Sequence, residues 1–138
     1  MIFDFGIKEK LDYVLLLLQY GDSNKPSRPA LQIFNSNQFK PLISKTVLPV
    51  GEWHHITGVH KGGYSYLYIN GTLTDSAQTY GPRKVLRNNN YIGRHCERPE
   101  GPYVDADIDE LKIFKRALEL HEIQAEMDQQ FLTSTGLL

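Results

Sequence analysis

Residues 64–69 read Tyr-Ser-Tyr-Leu-Tyr-Ile, and Asn70-Gly71 follows at once. This stretch constrains the fold more than any other. Tyr64, Tyr66 and Tyr68 alternate with Ser65, Leu67 and Ile69. A period of two separates the sets only on an extended strand. Asn-Gly is the strongest short-range hairpin signal, because both turn positions take positive φ. Residues 72–79 then return as a strand. Upstream, residues 53–60 (Trp-His-His-Ile-Thr-Gly-Val-His) read as a further strand, joined through the tight turn Lys61-Gly62-Gly63.

The rest of the chain has the same character. Residues 12–21 are a continuous apolar run closed by Gly21, as expected of a strand buried on both faces. Residues 22–29 form a loop with two prolines. Residues 30–35 alternate Leu31 and Ile33 against Gln32 and Phe34, and residues 39–44 read as a hairpin return. A turn over 48–53 delivers Trp53. Residues 80–90 are a loop carrying a short strand at Val85-Leu86, and residues 91–93 are another short strand. A long loop follows over 94–106. A last strand is expected at 107–114, with Ile108, Leu111, Ile113 and Phe114 apolar. Residues 115–132 read as a helix with Leu118, Ile123 and Met127 on one side and Glu119, Glu122 and Glu126 opposite. Many short strands and one late helix define an all-β fold: an antiparallel sandwich or jelly roll with a short C-terminal helix. With 138 residues and no dividing linker, the expectation is one domain over 1–138.

Composition excludes several classes. The chain is 41% hydrophobic and 22% charged, so it can build a core. Fifteen basic and sixteen acidic residues give a net charge of -1, too weak a field for nucleic acid as a main partner. The run at 13–20 is too short to enter a membrane as a span. Residues 1–13 lack the pattern of a signal peptide. Arg83, Lys84, Arg87, Arg94 and Arg98 make a local basic cluster, read as solvated loop charge. The single cysteine, Cys96, can form neither an intrachain disulfide nor a multi-cysteine zinc site.

Three pieces of the sequence together resemble one family. Trp53, His55, Ile56 and Thr57, then Leu67-Tyr68-Ile69-Asn70-Gly71, resemble the central hairpin of laminin-G-like (concanavalin A-like) jelly-roll domains. The Tyr-Ile-Gly at 91–93 resembles the family's aliphatic-Gly strand. Residues 106–127 resemble its closing strand and helix, through Ile108-Asp109-Glu110, Arg116-Ala117-Leu118 and Glu122-Ile123. The resemblance covers roughly residues 45–128. It implies a recognition module for glycan or protein inside a larger extracellular or surface protein. Family domains usually have more strands before the equivalent of residues 15–21, so the chain is expected to be an abbreviated domain or one piece of an assembly. Absent strands would leave an open sheet edge for a partner chain. Members often carry a disulfide near the equivalent of residues 92–96, which Cys96 cannot make alone. That leaves an intracellular position open.

Each chemical candidate has a plain structural alternative. On a strand rising about 3.3 Å per residue, His54 and His55 point apart and His54 lies about 20 Å from His60, so the histidines cannot share a metal. The Tyr64, Tyr66, Tyr68 row either meets a ligand or covers the core. Asp105, Asp107 and Asp109 alternate on the expected last strand. They superficially resemble the catalytic strand of sandwich-fold glucanases, which sets two carboxylates about 5 Å apart. The motif has Glu at its outer positions where this chain has Asp, so no catalytic residue is assigned. Calcium, a hard cation taking oxygen ligands, is the better use of these acids, with Asp109 foremost. The alternative is that Asp109 accepts from neighbouring backbone amides. Asn70-Gly71-Thr72 is also a glycosylation sequon, which the hairpin explains on its own. Ligand contacts are expected on the 94–104 loop, through Arg94, His95, Arg98 and Tyr103, because loops on a rigid scaffold carry sites.

Overall fold

The computed structural model describes residues 1–7, 11–18, 28–36, 38–96, 98, 100–101 and 103–134, without the side chains of 130–134. Of the loop expected at 22–29, all but Arg28 and Pro29 lies outside these residues, as do residues 19–21 of the apolar run. Strands β1 (Phe3–Ile7), β2 (Asp12–Leu17), β3 (Ala30–Asn35), β4 (Gln38–Phe39), β5 (Leu42–Ile43), β6 (Ile56–Lys61), β7 (Tyr64–Ile69), β8 (Thr72–Gln78) and β9 (Asn89–Ile92) precede helix α1 (Leu120–Ser134). All strand pairs are antiparallel. The larger sheet runs β4-β3-β2-β1-β9, with β5 also on β3, and the smaller runs β6-β7-β8. Strands β4 and β5 pair with different ends of β3 and are parted at Lys40-Pro41, where proline has no amide to give to a ladder.

The hairpins follow their turn residues. Asn70 and Gly71 have φ of 50° and 72°, and Gly62 and Gly63 have 59° and 79°, so both two-residue turns use the left-handed region. In β8, Thr74 is the extra residue of a bulge, and its hydroxyl donates to the Leu67 carbonyl at 3.0 Å.

The core lies between the sheets. Leu16, Leu31, Leu42 and Ile2 of the larger sheet close on Leu67, which is fully buried. Burying such a side chain stabilises the fold by about 1.5–3 kcal/mol. Gly58 stands opposite Leu67 across β6 and β7, and a Cβ there would sit 3.1 Å from the Leu31 methyls, so glycine lets the sheets approach.

Both sheets are also covered outside. On the larger one, Tyr13 and Leu15 meet Cys96 and Tyr91, which explains why β2 is apolar on both faces. On the smaller one, Val59, Tyr66 and Tyr68 meet Leu118 and Ile123. The tyrosine row is therefore mostly helix packing, and Tyr64 alone stays nearly half exposed.

Five expectations are corrected. Strand β6 begins at Ile56, leaving Trp53 exposed in the turn before it. Val85-Leu86 is not a strand. Arg83 and Arg87 both reach the buried Asp12, at 2.6 Å from Nε and 3.1 Å respectively, and draw the segment into a loop. These two arginines are thus not solvated loop charge. Residues 107–114 form no strand either. Among the described residues no neighbouring edge pairs with them, and Glu110 breaks the extended run with φ of 51°. The helix starts at Leu120 rather than residue 115, because Glu122 accepts from the Glu119 amide at 2.8 Å and caps the first turn there. Arg116 forks onto the same carboxylate and, with that amide, holds its pKa down to about 2.

Candidate functional site

Gly93 ends β9 with φ of 81° and turns the chain across the outer face of the larger sheet. Its amide donates to the Ile2 carbonyl at 2.9 Å, and its own carbonyl accepts from the Val104 amide at 2.8 Å. The second bond closes the 93–104 loop at its base. It places Arg94 and Tyr103 next to the two closing residues. Within the loop the Gly101 amide donates to the Arg98 carbonyl at 3.1 Å.

The side chains on this rim differ in kind. The Arg94 guanidinium lies 4.1 Å from the centroid of the Tyr91 ring, a cation–π stack. Its Nε is buried with no hydrogen-bond partner among the described residues. Tyr103 is 62% exposed and Arg98 is exposed. His95 sits half-buried beside Tyr13, with ring centroids 6.4 Å apart. Beneath it lies Asp4, with no exposed surface, whose Oδ2 is 3.5 Å from His95 Nδ1 and accepts from the Cys96 amide at 2.8 Å. Asp4 was not singled out from the sequence. An acid in the apolar context Ile-Phe-Asp-Phe is the signal that could have marked it.

The acidic run is elsewhere and stays open to solvent. Asp105, Asp107 and Asp109 are exposed on a segment that is not a strand. Asp109 Oδ1 accepts from the Glu110 amide at 2.8 Å, the backbone role weighed against calcium. The histidines go to separate partners. His54 Nε2 is 3.0 Å from the Pro49 carbonyl, and His60 Nδ1 is 3.2 Å from Ser65 Oγ. The His55 amide donates to Asn70 Oδ1 at 2.9 Å, so the sequon asparagine ties its hairpin to the start of β6. Burial lowers the pKa of both His55 and His60.

One more surface stands out. Phe5, Val85, Arg87, Asn90 and Ile113 line a shallow groove of about 370 Å³ beside β9, whose outer edge pairs with no described strand. Leu86, Ile92, Ile113 and Phe114 are all exposed. Among the described residues, no helix is long and apolar enough to cross a membrane.

The sequence matches the family described as the concanavalin A-like lectin/glucanases superfamily over residues 7–124. Among solved structures it is similar to the 2.1 Å crystal structure of residues 221–444 of an S-layer domain-containing protein from Clostridium thermocellum ATCC 27405. The two are 26% identical with a TM-score of 0.51, and the match covers 91% of this chain but 61% of that one. No curated protein matches. The paired antiparallel sheets, the Asn-Gly hairpin and the match over most of the sequence agree, and the chain belongs to the laminin-G-like domains of the concanavalin A-like superfamily.

Proposed function

We propose that this domain is a non-catalytic glycan-recognition module of a larger surface protein, binding through the 91–104 rim. The observation that carries the reading is the rim itself. Arg94 stacks on Tyr91 at the end of β9, and Arg94 and an exposed Tyr103 are presented on a loop closed at its base by backbone hydrogen bonds. Aromatic faces and planar guanidinium groups suit sugar rings, which offer C–H faces and hydroxyl edges together. The likeness to an S-layer domain-containing protein supports a place in a surface protein. A glycan array probed with the whole chain tests this. Binding is expected, and Tyr103→Ala weakens it about tenfold, the size of a central aromatic contact. An array without hits, or hits indifferent to Tyr103→Ala, overturns it.

A second reading, docking of a partner chain at the open sheet edge, is favoured by the apolar end beside β9. Exposed apolar residues next to an unpaired strand edge invite strand addition. Under this reading the chain self-associates at high concentration in sedimentation velocity, and Ile113→Lys abolishes the association. A monomer at all concentrations removes the support.

A further inference from the structure

The geometry points to a transition-metal site, best suited to zinc, built by Asp4, His95 and Cys96. One ligand atom from each lies within 4.8 Å of the others, the only such trio of metal-binding side chains among the described residues. The chemistry of the set is selective. A thiolate, an imidazole and one carboxylate suit zinc, whereas calcium and magnesium take oxygen. The distances are close to those a bound ion needs. With bond lengths of about 2.0–2.3 Å, a tetrahedral ion holds its ligand atoms about 3.3–3.8 Å apart. Asp4 Oδ2 and His95 Nδ1 already stand 3.5 Å apart. With every pair within 4.8 Å, the thiol has at most about 1 Å to move, within reach of a side-chain rotation.

A second, independent observation points to a ligand. Asp4 is wholly buried, yet its Oδ1 has no hydrogen-bond partner among the described residues. A buried carboxylate oxygen left so is costly, and a cation held by both Asp4 oxygens, Oδ2 beside His95 and Oδ1 next to it, would satisfy it. The surroundings would hold the site in shape. The Cys96 amide fixes Asp4 Oδ2, as outer partners orient metal-ligating carboxylates. Cys96 is 8% exposed among Tyr13 and Leu15, and His95 is the partly exposed member of the trio. Binding would form one bond from the metal to each ligand and release the Cys96 thiol proton to buffer.

The inference does not depend on the glycan reading, and its test is separate. The whole chain, reduced and freed of metal by chelation, is titrated with Zn²⁺ in a calorimeter and with Co²⁺ in an absorption spectrometer. The expected result is one ion per chain, with a thiolate-to-cobalt charge-transfer band in the near ultraviolet. Cys96→Ser abolishes that band. His95→Ala, at a partly exposed position, weakens Zn²⁺ binding about tenfold or more. If Cys96→Ser does not fold, by circular dichroism, His95→Ala and the wild-type cobalt spectrum decide. No saturable binding at micromolar Zn²⁺, cobalt bound without a sulfur band, or affinity unchanged in His95→Ala each overturns the site.

Discussion

The two sheets are each covered on the outside, and the covers differ in finish. Helix α1 and residues 117–118 seal the smaller sheet with apolar contact. Ile123 is fully buried against Val59, Tyr66 and Tyr68. Three ion pairs border the seal: Lys61 with Glu119, Arg116 with Glu122 and Lys112 with Glu126. The 91–104 loop covers the larger sheet differently. It buries Cys96 and leaves Tyr103 exposed, and among the described residues Asp4 Oδ1 and Arg94 Nε have no hydrogen-bond partner, as His55 Nδ1 has none on the helix side. Apolar packing makes the helix side the stabilising cover, and recognition on the loop side is the proposal made above.

The largest expected effect tests that assignment on the helix side. Ile123→Ala opens a cavity under the helix and costs about 2–5 kcal/mol in urea unfolding. Tyr103→Ala on the loop side changes stability by less than about 0.5 kcal/mol, as for an exposed substitution. Comparable losses in the two variants would break the comparison.

A smaller effect is set by pH. Burial lowers the pKa of His55, beside Glu126 of the helix, and of His60, against Ser65 and Thr79. The unfolded chain therefore takes up these protons first as pH falls. Stability is full above the ordinary histidine value of about 6.5 and declines below it, until the folded-state values are passed. Urea midpoints at pH 7.5 and pH 5 measure the decline. The double variant His55→Gln, His60→Gln flattens the part of it that these histidines cause.

What was legible in the sequence was local. Asn70-Gly71 and Gly62-Gly63 fix their turns through their own φ preferences, and both hairpins lie where the sequence puts them. The apolar run of β2 announces burial on both faces for the same reason. What failed depends on distant partners. Residues 107–114 carry strand-like residues, but a strand exists only against an edge, and among the described residues none reaches them. Arg83 and Arg87 look like solvated charge until Asp12, 71 and 75 residues away, is seen beneath them. Asp4 meets Cys96 across 92 residues, so no short window could join them. Gly and Pro in the sequence mark the loop that carries Arg94, His95, Arg98 and Tyr103, but nothing in that stretch marks the carboxylate below it. The tyrosine row showed its alternation, while the helix that takes up Tyr66 and Tyr68 lies more than fifty positions on.

The most direct test of the account maps where a ligand lands. Amide chemical shifts are recorded on the whole chain as a glycan selected from the array is added. The account predicts that the largest changes fall at Tyr91, Arg94 and Tyr103, with the helix-covered Tyr66 and Tyr68 and the groove at Phe5 and Ile113 unmoved. Largest changes in the groove or at the Tyr64 end of β7, with the 91–104 rim silent, would contradict it.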